Sequence, residues 1–233
     1  PYAGEQERTR EARERLWESG DIQAARNDFP GYLHHELAML NYLAEHPGDY
    51  AHSFDVLSVN LKRLFVHAYQ SYLFNRILSL RLAKSMPLDE ALVGDVVCFS
   101  KGGLPDMDKN QEVTEDNLEA VARLVNRGRA FVTLPLIGFE SRLAEGRQGE
   151  IERQVLQEED ISQEGFKVVE NPDLGSRGTR RTALCPVDPK IRVEGDSAQL
   201  EFVLPKGSYA TVVLREYMKG QAGSKGEDEA EDL

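Results

Sequence analysis

The spacing of apolar and polar positions changes along the chain, and each change marks an element. Glu5 to Ser19 is dense in Glu and Arg with few apolar anchors. This predicts a solvated helix laced by acid–base pairs one turn apart, such as Glu11 with Arg15. Gly20-Asp21 breaks it, with Asp21 placed to cap a second short helix. Pro30-Gly31 reads as a turn, and Tyr32 to Glu45 as a helix stopped by His46-Pro47-Gly48-Asp49. The strongest helical period runs from Leu61 to Ser85. There Leu61, Phe65, Ala68, Tyr69, Tyr72, Leu73, Leu80 and Ala83 share a broad face that predicts the core side. At about 100° per residue, Arg63, His67, Gln70 and Arg81 share a polar stripe roughly 60° wide on the opposite side.

From Asp95 the texture becomes mixed. Asp95 to Phe99 predicts a strand, Lys101 to Asn110 a Gly/Pro/Asp loop, and Thr114 to Arg127 a helix capped by Thr114 and stopped by Gly128. Ala130 to Leu134 predicts a strand, Pro135 to Phe139 a turn, Glu150 to Glu159 a helix, and Phe166 to Val169 a further strand. The last part predicts a hairpin, Lys190–Glu194 and Ala198–Leu204 about Gly195-Asp196, then a helix from Ala210 to Met218 capped by Ser208. A Gly-rich acidic tail, 220–233, predicts disorder. The fold class is α+β.

Charge changes this picture. The 233 residues carry 28 Lys+Arg against 40 Asp+Glu, a formal charge of −12, which at first argues against nucleic acid. Three windows, however, hold no acid: Val56–Leu88 with +5, Leu174–Val187 with +3 and Phe202–Arg215 with +2, leaving −22 elsewhere. If they meet, they form a basic surface suited to phosphate on a body that repels nucleic acid elsewhere. The alternative is that they are acid-free because they are buried. No apolar run is long enough for a membrane-spanning helix, no leader-like apolar stretch opens the chain, and the two cysteines build no disulfide scaffold. No metal-ligand spacing is present. His34-His35 are adjacent, so their side chains point apart on a helix.

Three segments could carry chemistry. The first, 65–76, sets aromatic rings beside Arg, His67 and Gln70, the residue types that stack on single-stranded RNA bases and hold phosphates. A packed core helix is the other reading of the same residues. The second, Gly175-Ser-Arg-Gly-Thr-Arg-Arg181, offers glycines for close backbone approach and the forks of Arg177, Arg180 and Arg181 for phosphate. The third, Leu204 to Glu216, sets Tyr209 at a helix start, with Arg215 about two turns on.

The first and third segments together resemble a known family. HAYQSYLFN (67–75) with LSLR (78–81), then GDVV (94–97), LPLIGF (134–139), GTRRTAL (178–184) and FVLPKGSYATVVLREYMK (202–219), are similar, in that order, to the TruD family of tRNA pseudouridine synthases in its archaeal form. The resemblance covers roughly residues 30 to 219. It implies isomerisation of a uridine in tRNA, typically uridine 13, to pseudouridine without cofactor or metal. It implies a mixed α/β catalytic domain with an inserted TRUD domain, and a target base that leaves its stack. In that family the attacking Asp lies in an early GTKD-like motif, followed by an NYFGxQRFG-like motif. Neither occurs in this sequence, so the resemblance implies the C-terminal portion of a longer synthase, with no Asp here as nucleophile.

Carried over by position, Tyr209 matches the aromatic expected to line the uridine pocket, and Gln70 belongs to the helix signature. Arg180 and Arg181 match a basic pair where the chain re-enters the catalytic domain, and RNA contact is this reading's own expectation for that pair; His67 and Arg215 complete the candidate substrate-binding set. The expected organisation is a helical lead-in (1–50), the insertion domain (51–184), terminal strands and helix of the catalytic domain (185–219) and the tail. The expected partners are tRNA and a missing N-terminal catalytic segment, in the cytoplasm. Two rivals are a non-catalytic RNA-binding module and an acidic protein-interaction domain. In the latter, the acid-free windows would be buried.

Overall fold

The computed structural model describes residues 4–169, 171–205 and 207–219, which group into two compact units. The first comprises residues up to Leu73 together with 137–140 and 161–178. It holds α1 (Glu7–Ser19), α2 (Ile22–Asp28), α3 (His34–Glu45), the single turn α4 (Tyr50–Ser53) and the first part of α5 (Val59–Ala83). The anticipated breaks are present. Gly20 takes the left-handed conformation at φ 66° and closes α1, and the Asp21 carboxylate accepts the Ala24 N–H. Ala12, Ala25, Phe29 and Leu40 form a small core, flanked by Leu16, Ile22, Leu33 and Leu37. Around it Arg13 reaches Glu5 at 2.9 Å and Glu36 at 2.7 Å, and Arg15 reaches Asp28 at 3.0 Å. The two later segments of this unit are drawn together by backbone bonds from Phe139 to Ser176 and from Glu140 to Arg177.

The second unit contains the rest of α5, β1 (Val96–Lys101), β2 (Leu104–Glu112), α6 (Leu118–Asn126), β3 (Ala130–Leu136), α7 (Gly146–Glu158), β4 (Thr179–Thr182), β5 (Lys190–Glu194), β6 (Ser197–Glu201) and α8 (Ala210–Met218). β1 to β4 make one antiparallel sheet in the order β2-β1-β3-β4. Ala91, Val97, Val113, Val121 and Val132 form its core, with Phe99, Leu118, Val125 and Ala183 at the edge. β5 and β6 form a separate hairpin about Gly195 and Asp196, as the turn chemistry predicts.

Several expectations are corrected. The stretch read as a loop, Lys101 to Asn110, is mostly strand. Gly102 and Gly103 both have positive φ, 61° and 85°, and make a two-residue hairpin that turns β1 directly into β2. β2 is an edge strand, which is why it tolerates Pro105 opposite Ser100, and residues 107–109 loop out where the register shifts. Pro135 is not a turn residue; it lies in β3 opposite Arg180. α6 starts at Leu118, and Thr114 begins a turn whose N–H is held by the Asn117 side chain. Phe166 to Val169 is not a strand. A 3-10 helix spans Gln163–Lys167, and Val168 follows in the left-handed region. β4 and α4 were not anticipated. At the start of α8 the cap position is Tyr209 rather than Ser208, with no side-chain cap bond. The predicted tail falls outside the described residues.

The largest correction concerns α5. Its buried seam is Gln70, Leu73, Ile77 and Arg81, whereas Phe65 and Tyr72 of the expected core face stand exposed. Two polar side chains are drawn inward because distant groups meet them. The Gln70 amide donates to the Ile137 carbonyl at 2.6 Å and to Ser176 Oγ at 2.8 Å. Arg81 forms a two-pronged bond with Asp95, at 2.6 and 2.9 Å, while donating to the Pro87 carbonyl. A buried polar group is tolerated when its hydrogen bonds are made, so the seam follows the partners rather than hydropathy alone.

Candidate RNA-facing site

The three acid-free windows resolve differently from a single basic face. Most of their cations are answered by acids from elsewhere in the chain. Lys62 meets Asp55, Arg63 meets Asp173, Arg76 meets Glu158 and Glu159, Arg177 approaches Glu140, and Arg81 is sealed against Asp95. The windows lack acids of their own and borrow them through the fold. What could still face an anion is therefore a shorter set.

Arg180 and Arg181, adjacent on β4, part company. Successive residues of a strand point to opposite faces. The Arg180 side chain is buried: Nε donates to Thr133 Oγ1 at 2.8 Å, Nη2 to the Thr133 carbonyl at 2.9 Å and Nη1 to the Arg142 carbonyl at 3.0 Å. Its acidic neighbour is Glu152 of α7 at 3.5 Å, itself fully buried. Glu152 also accepts the Ala144 N–H at 2.7 Å and the Gln148 amide at 3.0 Å, and the Gln148 carbonyl oxygen accepts from Arg81 at 2.9 Å. One buried polar chain thus runs from Asp95 through Arg81, Gln148 and Glu152 to Arg180. Burial pushes the Glu152 carboxyl above its ordinary range, with Arg180 opposing, and pulls the Arg180 guanidinium below its ordinary value, with Glu152 opposing. Both directions say that desolvation outweighs the attraction within the pair. A guanidinium so enclosed is a brace, not an exposed phosphate fork.

Arg181 is partly exposed and forms no ion pair among the described residues. Its guanidinium stands beside Gly207: a Cβ built there would stand 3.3 Å from Nη2 and 3.4 Å from Nε. Two residues on, Tyr209 is 73% exposed at the start of α8. Arg215, also exposed, sits in the last turn of that helix. In the other unit His67 is exposed on α5, while Gln70 is buried and committed to Ile137 and Ser176. The structure thus brings Arg180, Arg181 and the approach to Tyr209 together in one unit, and gives Gln70 a structural bond set rather than a free amide.

The residues that the sequence did not point to are Glu152, Gln148, Asp95 and Thr133. Gln148 and Glu152 do sit four apart in α7, next to Ile151 and Val155 in the buried set. Polar residues in step with the apolar period of a helix are the signal that could have found them.

β5, β6 and α8 contain no buried residue among those described, and leave Val193, Val212, Tyr217 and Met218 open, with Val203 exposed between β6 and α8. A hairpin and an amphipathic helix of this kind have apolar faces without a core of their own. That is the form of a surface that packs against further protein rather than of a free-standing domain. The comparisons with known proteins agree. The family model described as tRNA pseudouridine synthase D (TruD) matches residues 1–217, and the chain belongs to that family. A Methanococcoides burtonii protein named "Probable tRNA pseudouridine synthase D" is 48% identical over 226 residues, covering 94% of this chain and 52% of that protein. A Natronomonas pharaonis protein of the same name is 49% identical, covering 92% of this chain and 49% of its own. A TruD crystal structure from Methanosarcina mazei superposes with a TM-score of 0.83 at 46% identity, covering 94% of this chain and 52% of that one. The chain therefore spans about half the length of the relatives it matches.

Proposed function

We propose that this chain is the C-terminal portion of a tRNA pseudouridine synthase. In this reading it acts on a uridine of tRNA, uridine 13 in the family's usual form, together with an N-terminal segment that carries the nucleophilic Asp. The observation that carries the reading is the open end of the second unit. An exposed ring, Tyr209, follows closely on a glycine beside which lies an arginine with no ion pair among the described residues, and α8 holds no buried residue among those described. A ring so placed offers a stacking face to an extruded base, and Arg181 a cation for the phosphate beside it. Arg215 and His67, both exposed, are proposed as further RNA contacts. Arg180 and Gln70 are proposed to serve the substrate through the backbone they brace. Residues 185–219 are assigned to the catalytic domain, 51–184 to the insertion domain and 1–50 to the helical lead-in. No cofactor or metal enters the reaction. No helix among the described residues is long and apolar enough to cross a membrane, and the proposed setting is the cytoplasm with tRNA.

The test is a tRNA-binding salt series with a pseudouridine assay on the same samples, for this chain and for the full-length protein. Full-length protein isomerises uridine; this chain alone does not. Tyr209→Ala in the full-length protein lowers turnover more than affinity, and Tyr209→Phe, which keeps the ring, restores it. Wild-type turnover by Tyr209→Ala would reject the pocket assignment. Isomerisation by the chain alone would place the nucleophile among its own Asp residues. Salt-dependent binding with no isomerisation by either form would leave a binding module.

A further inference from the structure

Arg181 and Gly207 make a contact that a phosphate-binding role does not require. The guanidinium stands beside the glycine, close enough that Nη2, Nε and Cζ would all stand within 3.7 Å of a Cβ there. Gly207 has φ +89°, a conformation that side-chain-bearing residues rarely adopt, so the position needs glycine for its backbone. The turn is closed from the Ser208 N–H to the Pro205 carbonyl at 3.1 Å, and Ser208 Oγ lies 3.5 Å from Cys185 Sγ. Tyr209 follows, and its carbonyl accepts the first helical bonds, from Val212 and Val213. On the other side, Arg181 stands on a strand whose preceding residue is anchored through Thr133, Arg142 and Glu152.

We propose that Arg181 is a positioning residue for Tyr209: it clamps the Gly207 turn to β4, and the buried Arg180 brace sets where the clamp stands. The proposal deepens the reading of Tyr209 as the base-stacking ring and, for its effect on turnover, rests on it. The clamp depends on several atoms of one rigid planar group standing beside the turn together. A lysine keeps the charge but has no plane to offer. A methyl on Gly207 would press on the guanidinium by only a few tenths of an ångström, so the main cost of a side chain there is the backbone strain at φ +89°.

Two measurements test this. The first is amide hydrogen exchange over 207–212 in this chain, which needs no catalysis. Arg181→Ala and Arg181→Lys are each expected to raise exchange there about tenfold. The second is single-turnover isomerisation by the full-length protein. Arg181→Lys is expected to lose about tenfold or more in rate while keeping the salt dependence of tRNA binding, because a misplaced reacting geometry costs rate rather than charge. Exchange unchanged in Arg181→Ala overturns the clamp. So do wild-type behaviour of Arg181→Lys and faster exchange with unchanged turnover. If wild-type full-length protein does not isomerise uridine, the functional reading fails, and exchange alone decides the clamp.

Discussion

Removing the Arg180 guanidinium should cost the protein stability in a way that depends on pH. In Arg180→Met the side chain keeps much of its apolar bulk but loses its donors. The Thr133 and Arg142 carbonyls each lose a bond, and the buried Glu152 is left with the Ala144 N–H and the Gln148 amide. Leaving one half of a buried ion pair costs about 3–5 kcal/mol. The orphaned carbonyls belong to the same network and are not added separately. For a chain of this length, a loss of about 3–5 kcal/mol lowers the melting temperature by about 6–20 °C. Glu152 sets the sign of the pH effect. Its folded-state pKa is already raised by burial, and Arg180 is what opposes the rise, so the variant's carboxyl goes higher still. Between the ordinary carboxylate value and the raised one, the folded state binds more protons than the unfolded state. Stability therefore falls as pH rises through that window and is regained below it. The deficit of Arg180→Met relative to wild type should be largest near neutrality and shrink on acidification. Urea unfolding followed by circular dichroism at about pH 5 and about pH 8 measures it. Arg180→Met/Glu152→Gln, which removes the uncompensated charge, should recover part of the loss at the higher pH. A deficit under about 1 kcal/mol, the scale of an exposed pair, would refute the reasoning. A deficit equal at both pH values would do the same.

Other expectations are simpler to check. Cys98 is buried and its thiol is pushed up to about 11 by burial, whereas Cys185 is exposed. A thiol reagent should therefore label Cys185 in the native protein and reach Cys98 only on unfolding, as peptide mapping would show. Gly138→Ala should destabilise strongly, because a Cβ there would stand 2.1 Å from the Gly178 amide nitrogen, backbone that has no room to yield. A melting temperature within a degree or so of wild type would contradict this. Asp95→Asn should cost about 3–5 kcal/mol by unpairing the fully enclosed Arg81, read by urea unfolding, and a loss near zero would show the pair to be dispensable.

Local chemistry was legible in the sequence and long-range pairing was not. Gly20, Asp21 and the Gly195-Asp196 turn act within a few residues, and the helices and hairpin they delimit came out as expected. β2 was hidden because an edge strand with one wet side can carry Pro105, Asp106 and Asp108. The pair Gly102-Gly103 was the available signal, since two consecutive glycines suit a hairpin turn that needs positive φ at both positions. The seam of α5 could not be read from hydropathy because Gln70 and Arg81 turn inward toward Ile137 and Asp95, which no local period announces. The basic windows misled for the same reason, since Arg63 and Arg76 find their acids far along the chain. At the candidate site, Tyr209 was found through a motif, but the different fates of Arg180 and Arg181 required the strand that separates their faces.

α5 also has a consequence in time. Arg63 and Asp173 are separated by 110 positions, Gln70 and Ser176 by 106, and Arg76 and Glu159 by 83. A chain emerging from the ribosome at about 5–20 residues per second leaves this helix without those companions for roughly 5–20 s. For that interval the side destined for the interior is in water. A seam made wholly of Leu and Ile would be a sticky stripe on a nascent chain. One that sets Gln70 and Arg81 at either end of Leu73 and Ile77 keeps polar groups in water at both ends, and the Gln70 end becomes dry only when synthesis has delivered Ile137 and Ser176.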